Sequence, residues 1–172
     1  MMACLDVAYH GLEANVAAVL FRSWGDSVGK REIVTRVAST ADYLPGQFYR
    51  RELPCLLALL ALVGEPLETL IVDGYVWLGK ESLPGLGAHL YEALGRETAV
   101  IGVAKSRFAG ATGAVPVLRG GSHRPLQVTA AGLDVRIAAH CIETMHGKHR
   151  IPTLLKRADQ LSRSWTDLAE AT

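Results

Sequence analysis

Apolar and polar positions fall into short blocks along this chain, and the blocks predict strands at the start and helices interleaved with strands afterwards. Ala3–Ala8 is a short apolar strand. Asn15–Trp24 and Lys30–Val37 are two more, with Gly25 and Asp26 supplying the turn between them. In the third, Arg31, Ile33, Thr35 and Val37 alternate with Glu32, Val34 and Arg36, the parity of a half-exposed strand near a sheet edge. Pro45 and Gly46 break the chain, after which Leu53, Leu56, Leu57, Leu60 and Ala61 recur at helical spacing within residues 47–63. Pro54 inside that run is expected in the first turn of the helix, with Glu52 just ahead of it or in a preceding kinked turn.

Leu67–Gly74 predicts a fourth strand stopped by glycine, Pro84–Leu94 a second helix bounded by Gly95, and Thr98–Ala104 a fifth strand. Strand, helix, strand in that order is a parallel crossover. Val115–Leu118 and Pro125–Thr129 flank Gly120-Gly121 as a hairpin. Ala130–Met145 predicts a third helix with Leu133, Ile137, Ala138, Cys141 and Met145 on one stripe, and Thr153–Leu168 a last helix opened by Pro152. Three antiparallel strands followed by such crossovers make a mixed α/β sheet flanked by helices, the strand order of a ribonuclease H-like fold. In such a sheet the first and fourth strands become neighbours, so residues at their carboxyl ends meet.

The 172 residues, 49% of them apolar, suit one globular domain with a sizeable core. No linker, charge block or repeat divides them. The longest apolar stretch, Leu53–Val63, is too short to span a bilayer, and the start lacks a secretory pattern. Cys4, Cys55 and Cys141 have no ligand spacing and each lies in an apolar segment, as buried free thiols in a reducing cytoplasm would. A cytoplasmic protein with no membrane partner is expected. The formal charge of +1 argues against nucleic-acid binding by bulk electrostatics, yet local basic clusters remain at Arg50 and Arg51, Lys105 and Arg107, Arg119 to Arg124, and Lys148 to Arg150.

The candidate chemistry lies in three acids. Asp6 ends the apolar run Met1–Leu5, Asp73 ends Leu70–Val72, and Glu52 stands in the patterned segment Tyr43–Pro54 between them. Carboxylates held at buried strand ends can share a hard divalent cation that offsets their repulsion, which is what metal-assisted phosphodiester hydrolysis needs. His140, Glu143, His146 and His149 follow no ligand pattern, because Gly147 is expected to end their helix.

Four blocks carry a resemblance: Asp6-Val7-Ala8-Tyr9; Tyr43-Leu44-Pro45-Gly46 with Arg51-Glu52; Val72-Asp73-Gly74; and Gly102-Val103-Ala104-Lys105. In this order they resemble the endonuclease V family, metal-dependent nucleases acting at deaminated purines, from about Cys4 to about Arg163. The resemblance implies the ribonuclease H-like fold and DNA as partner, with RNA a second candidate. It implies Asp6, Glu52 and Asp73 as ligands to Mg²⁺, or Mn²⁺, with Glu52 alternatively a base acting through bound water. His123, in Gly-Gly-Ser-His-Arg, is similar to the family's active-site histidine, and Lys105 is placed for a phosphate contact. Tyr43, Leu44, Pro45 and Gly46 match the wedge loop that opens duplex at the lesion, Arg51 adjoins the strand, and Gly74 and Gly102 would let backbone approach a flipped purine.

The chain departs from the family after Val-Asp-Gly. Where the family has His-Gly and a His-Pro-Arg turn, this chain reads Tyr75-Val76-Trp77-Leu78-Gly79-Lys80, which removes a histidine and an arginine from the pocket rim. Tyr75 and Trp77 either stack a base or pack against the second helix. Three readings stand: an inosine-directed endonuclease, a nucleic-acid-binding module of the same fold with weak or no turnover, and an unrelated metal hydrolase of small phosphorylated substrates.

Overall fold

The computed structural model describes residues 1–38, 49–79, 83–108, 110 and 113–165. Its elements follow in the order β1 (Met2–His10), β2 (Glu13–Phe21), β3 (Arg31–Ala38), α1 (Tyr49–Leu60), β4 (Thr69–Asp73), β5 (Trp77–Leu78), β6 (Leu83–Pro84), α2 (Leu86–Ala93), β7 (Ala99–Ala104), β8 (Val115–Val117), β9 (Leu126–Ala131), α3 (Val135–Thr144) and α4 (Thr153–Arg163). Seven strands form one sheet in the order β3-β2-β1-β4-β7-β9-β8, and β5 pairs with β6 in a separate two-residue ribbon. β1, β4 and β7 are parallel neighbours, while β2 and β3 extend the sheet antiparallel on one side and β9 and β8 on the other. β3 is the edge strand that its alternating parity predicts.

Because side chains alternate across a strand, the sheet has two cores. Leu5, Leu70, Val72 and Val100 face Leu56 and Leu59 of α1 and Ala88 and Leu90 of α2. Cys4, Ile71, Ile101 and Val103 face Ala138 and Ile142 of α3 and Leu154 and Ala158 of α4. By the same parity Asp6, Asp73 and Lys105 belong to the α3/α4 face, one step beyond the buried apolar residues.

Several elements differ from the pattern read off the sequence. β1 runs on past Asp6 to His10, and Pro84 lies in β6, with α2 starting at Leu86. α1 begins at Tyr49, so Glu52 lies in its first turn and Pro54 inside it rather than at its start. Pro54 has no N–H for the Arg50 carbonyl, but Arg50 is exposed, so water can satisfy that carbonyl. α3 begins at Val135 because Asp134 caps it, accepting the N–H groups of Arg136 at 2.8 Å and Ile137 at 3.3 Å, while the segment before it remains strand. Its buried stripe is therefore Ala138, Ala139 and Ile142, and Ile137 is 59% exposed. α4 stops at Arg163, and Trp165 lies beyond it with its ring 5.0 Å from that of His10. Cys4 and Cys55 are buried as expected, whereas Cys141 is half-buried. No helix among the described residues is long and apolar enough to cross a membrane.

α4 is docked by a buried polar residue that hydrophobic patterning does not single out. Asn15 of β2 donates from Nδ2 to the carbonyls of Leu161 at 3.2 Å, Ser162 at 2.9 Å and Ser164 at 3.2 Å, occupying acceptors that a helix terminus leaves open. Buried carbonyls that lose their donor cost about 1–3 kcal/mol. Asn15→Ala is therefore expected to lower unfolding stability by that amount, read as a reduced urea midpoint at unchanged slope.

Candidate active site

β1 pairs with β4 as far as Leu5 opposite Val72, and β4 pairs with β7 as far as Asp73 opposite Val103. Asp6 and Asp73 thus stand at one level where the parallel pairing of β1 and β4 ends, Asp6 in mid-strand because β1 runs on to His10 against β2, and Lys105 leaves the third strand beside them. Glu52 comes from the other side of the sheet, over the strand ends from α1. A cavity of about 100 Å³ is lined by Asp6, Glu52 and Asp73 together with Leu5, Val72 and Leu86. The three acids singled out by sequence do converge.

Apolar walls make that convergence costly. Burial pushes the Asp6 carboxyl up to about 6, against the hydrogen bond from Ser162 and with the charges of Asp73 and Asp159 adding to the rise. Burial likewise pushes Glu52 up to about 7, with the charges of Asp6 and Asp73 adding. Lys105 Nζ lies 2.6 Å from Asp73 Oδ2 and 4.0 Å from Asp159 Oδ1. Burial lowers the Lys105 pKa, but the hydrogen bond and charge of Asp73, with Asp159 and Asp6 behind it, outweigh burial and hold the ammonium above its ordinary value.

α4 contributes two residues that the sequence reading misses. The Ser162 hydroxyl donates to Asp6 Oδ2, and Asp159 shares a cavity of about 360 Å³ with Asp6, Asp73 and Lys105. Asp159 is also tied to Arg163 at 3.0 Å. Leu154, Ala158 and Ser162 form the buried stripe of α4, so a serine in register with a leucine and an alanine was the available signal, and Asp159 lies three residues before it on the adjoining face.

The remaining candidates divide. Gly74 has φ +127°, a left-handed value that favours glycine, and its N–H donates to the Val103 carbonyl at 3.1 Å. With Tyr49, Glu52, Asp73 and Tyr75 it lines a further cavity of about 250 Å³. The Tyr75 hydroxyl donates to the Ser106 carbonyl at 2.8 Å and accepts the Phe108 N–H at 3.0 Å, fixing its ring at that cavity's edge. Trp77 donates from Nε1 to the Ala130 carbonyl at 3.0 Å and packs against the core instead. Gly102 admits the chain's own backbone: a Cβ there would stand 2.6 Å from the Gly74 carbonyl oxygen and 2.8 Å from the Val76 nitrogen. Arg51 lies 3.9 Å over the Tyr9 ring. His123 is exposed in the β8–β9 turn and lines none of the cavities that the acids border. Arg119, grouped with it by sequence, is buried and donates to main-chain carbonyls between Glu143 and Arg150. Tyr43, Leu44, Pro45 and Gly46 lie outside the described residues.

Comparison with known proteins bears on the family and the fold. The family model for endonuclease V matches residues 1–133. The chain belongs to the endonuclease V family. An endonuclease V of Streptomyces avermitilis is 31% identical over 191 residues, covering 98% of this chain and 80% of that protein. The crystal structure of the S. avermitilis endonuclease V aligns with a TM-score of 0.73 at 28% identity, covering 94% of this chain and 79% of that one. The Ciona intestinalis endonuclease V, solved with a 24mer DNA containing an inosine followed by a ribo-adenosine, aligns at 0.79 with 21% identity over 94% of this chain and 83% of that one, a likeness of fold. The fold is ribonuclease H-like, as in these structures. Other relatives are matched over less of their length: the chain spans 45% of the Xanthomonas campestris endonuclease V to which it is 36% identical.

The raised acids give a pH dependence with a definite sign. Asp6 and Glu52 bind protons more tightly folded than unfolded, so the folded state carries more protons between about pH 4 and pH 7, and unfolding stability falls as pH rises through that window. Urea unfolding in EDTA is expected to show this fall, and Glu52→Gln to flatten it above pH 6.

Proposed function

We propose that this chain hydrolyses a phosphodiester bond in a DNA strand, and secondarily in RNA, near a deaminated purine such as inosine or another unpaired base. The observation that carries the reading is the convergence of Asp6, Glu52 and Asp73 on one small cavity, where burial, with the neighbouring acids' charges adding, already drives two of the acids toward protonation. A hard divalent cation is the complement of that donor set. Among the described residues no three acids, histidines or cysteines are grouped so as to hold a metal ion as the side chains stand; Asp73 bonds Lys105 through one oxygen and Asp6 bonds Ser162 through one. The donors fit Mg²⁺ or Mn²⁺ in kind and number, and Lys105 holds part of the countercharge that the cation would supply.

When bound, such an ion polarises the scissile phosphate and lowers the pKa of water beside it. The protein's own residues do the rest. Asp6 Oδ2 is fixed by Ser162, which sets the orientation of that carboxylate. Glu52, on the far side of the cavity, is placed to accept a proton from the attacking water. Attack at phosphorus breaks the bond to the 3′ oxygen, leaving 3′-hydroxyl and 5′-phosphate ends. Lys105, between Asp73 and Asp159, turns toward a phosphate oxygen as the strand enters. The cavity between Tyr49 and Tyr75 suits an unstacked base, and the Tyr75 hydroxyl is already committed to Ser106 and Phe108, so the base is held there by stacking more than by reading of its edge. That arrangement favours inosine modestly and tolerates other unpaired bases.

The Lys105–Asp73 contact also favours a second reading, a binding module in which the lysine keeps the cation out and turnover is weak. One experiment separates them: labelled inosine-containing DNA and RNA incubated with the protein in Mg²⁺, Mn²⁺ or EDTA. Metal-dependent nicking is expected, with Asp6→Asn and Asp73→Asn each slowing it roughly 10³-fold, the several kcal/mol of charge stabilisation an ion contributes, while strand retention persists. Retention without cutting in any metal would establish the second reading.

A further inference from the structure

A large concavity among the described residues takes no part in the chemistry above. It is a trough of about 970 Å³ between the tip of the β2–β3 hairpin at Ser27–Gly29 and the α3–α4 connection with the first turns of α4. His149, Ile151 and Lys156 line both this trough and the cavity of Asp6, Asp73 and Asp159, so the two adjoin.

Its walls are tied together. The His146 N–H donates to the Trp24 carbonyl at 3.2 Å, and Arg157 of α4 makes a two-pronged contact with Glu32 of β3, both bonds 2.7 Å. Thr153 closes the connection on itself, donating its N–H to the His146 carbonyl at 2.9 Å. Beneath it, buried Arg119 donates to the carbonyls of Gly147 and His149 at 3.2 Å each. Gly120, with φ +59°, leaves the space where a Cβ would strike the His149 backbone at 2.5 Å. A connection whose main chain is gripped by a buried guanidinium and a glycine presents its side chains in a fixed place.

Those side chains are cationic. Lys148 and Lys156 are exposed and make no ion pair among the described residues, while the one acid on the trough, Glu32, is already matched by Arg157. Val28 stands 75% exposed on the hairpin lip. The other opening from the acids, toward Tyr49 and Tyr75, has no lysine or arginine among the described residues of its lining.

We propose that this trough holds the sugar-phosphate backbone of the strand adjoining the cut, with Lys148 and Lys156 as phosphate contacts and His149 at the junction between trough and acids. The proposal rests on the nuclease reading, since only a polymer of phosphodiesters threaded through the acid cavity continues into this trough. Bases then turn toward the aromatic opening and phosphates toward the basic one.

Phosphate contacts release counterions, so log K falls with log salt by about 0.7 for each contact on a single strand. Binding of a fluorescein-labelled inosine-containing strand to the full chain, measured in EDTA over a series of KCl concentrations, reads this directly. Lys148→Gln and Lys156→Gln are each expected to reduce the slope by about 0.7 and the double variant by about 1.4. Arg136→Gln, on an exposed turn of α3 at the opposite end of the sheet, is expected to leave it unchanged. Unchanged slopes in the lysine variants, or an equal drop in Arg136→Gln, would overturn the proposal. Cutting of the same strand by the wild-type protein in Mg²⁺ is scored separately. A protein that cuts but keeps its slopes refutes the trough alone, and one whose slopes fall without cutting supports the trough while removing the nuclease.

Discussion

Like charges forced together where the parallel pairing of two strands gives out are the constraint on which the rest of this structure turns. β1 and β4 must pair in register for the sheet to close its two cores, and that pairing delivers Asp6 and Asp73 side by side at its end. α1 must lay Leu56 and Leu59 on the sheet, and that packing swings Glu52 over the same edge. None of the three acids can move away without uncovering apolar surface. The hydrophobic cores therefore hold an electrostatically unfavourable cluster in place, and the cluster is a standing demand for positive charge.

Several features support that cluster. Asn15 grips the end of α4 so that Ser162 meets Asp6, and Lys105 is drawn onto Asp73 from the third strand. Gly102 is bare so that the chain after Asp73 can fold back across β7, where the Val76 N–H donates to Thr129 Oγ1 at 2.8 Å. α4 serves twice, closing one side of the acid cavity with Asp159 and one side of the trough with Lys156. Its position is the most consequential in the molecule, and it is set by polar contacts rather than by its apolar stripe alone.

The part of this legible in the sequence was the part governed by period and by strand ends. Apolar runs stopped by Asp6 and Asp73 announced both strands, although β1 runs on past Asp6 to His10 along its β2 side, and the mixed sheet followed from element order. Glu52 was found, but its place in the first turn of α1 was obscured by Pro54, whose missing N–H is tolerable there only because Arg50 is exposed to water. The start of α3 was misplaced because Ala130 and Ala131 suit helix and strand equally, and pairing with β7 decides for strand. Asp159 and Ser162 were missed because a polar pair in a charged helix looks like solvated surface until the helix is docked. Lys148 was legible as part of the basic cluster Lys148 to Arg150 and Lys156 was an ordinary surface lysine, and only the trough they share gives them a common direction.

Divalent-cation binding with proton counting tests the central claim most directly. Asp6 and Glu52, held near 6 and 7, must shed protons to share an ion. Titration of Mn²⁺ into the protein in buffers of different ionisation enthalpy is predicted to show little proton release at pH 8 and more than one proton per ion near pH 6, with release reduced in Glu52→Gln. Binding with no proton release at pH 6, or binding that survives Asp6→Asn and Asp73→Asn unchanged, would contradict a cation shared by these acids.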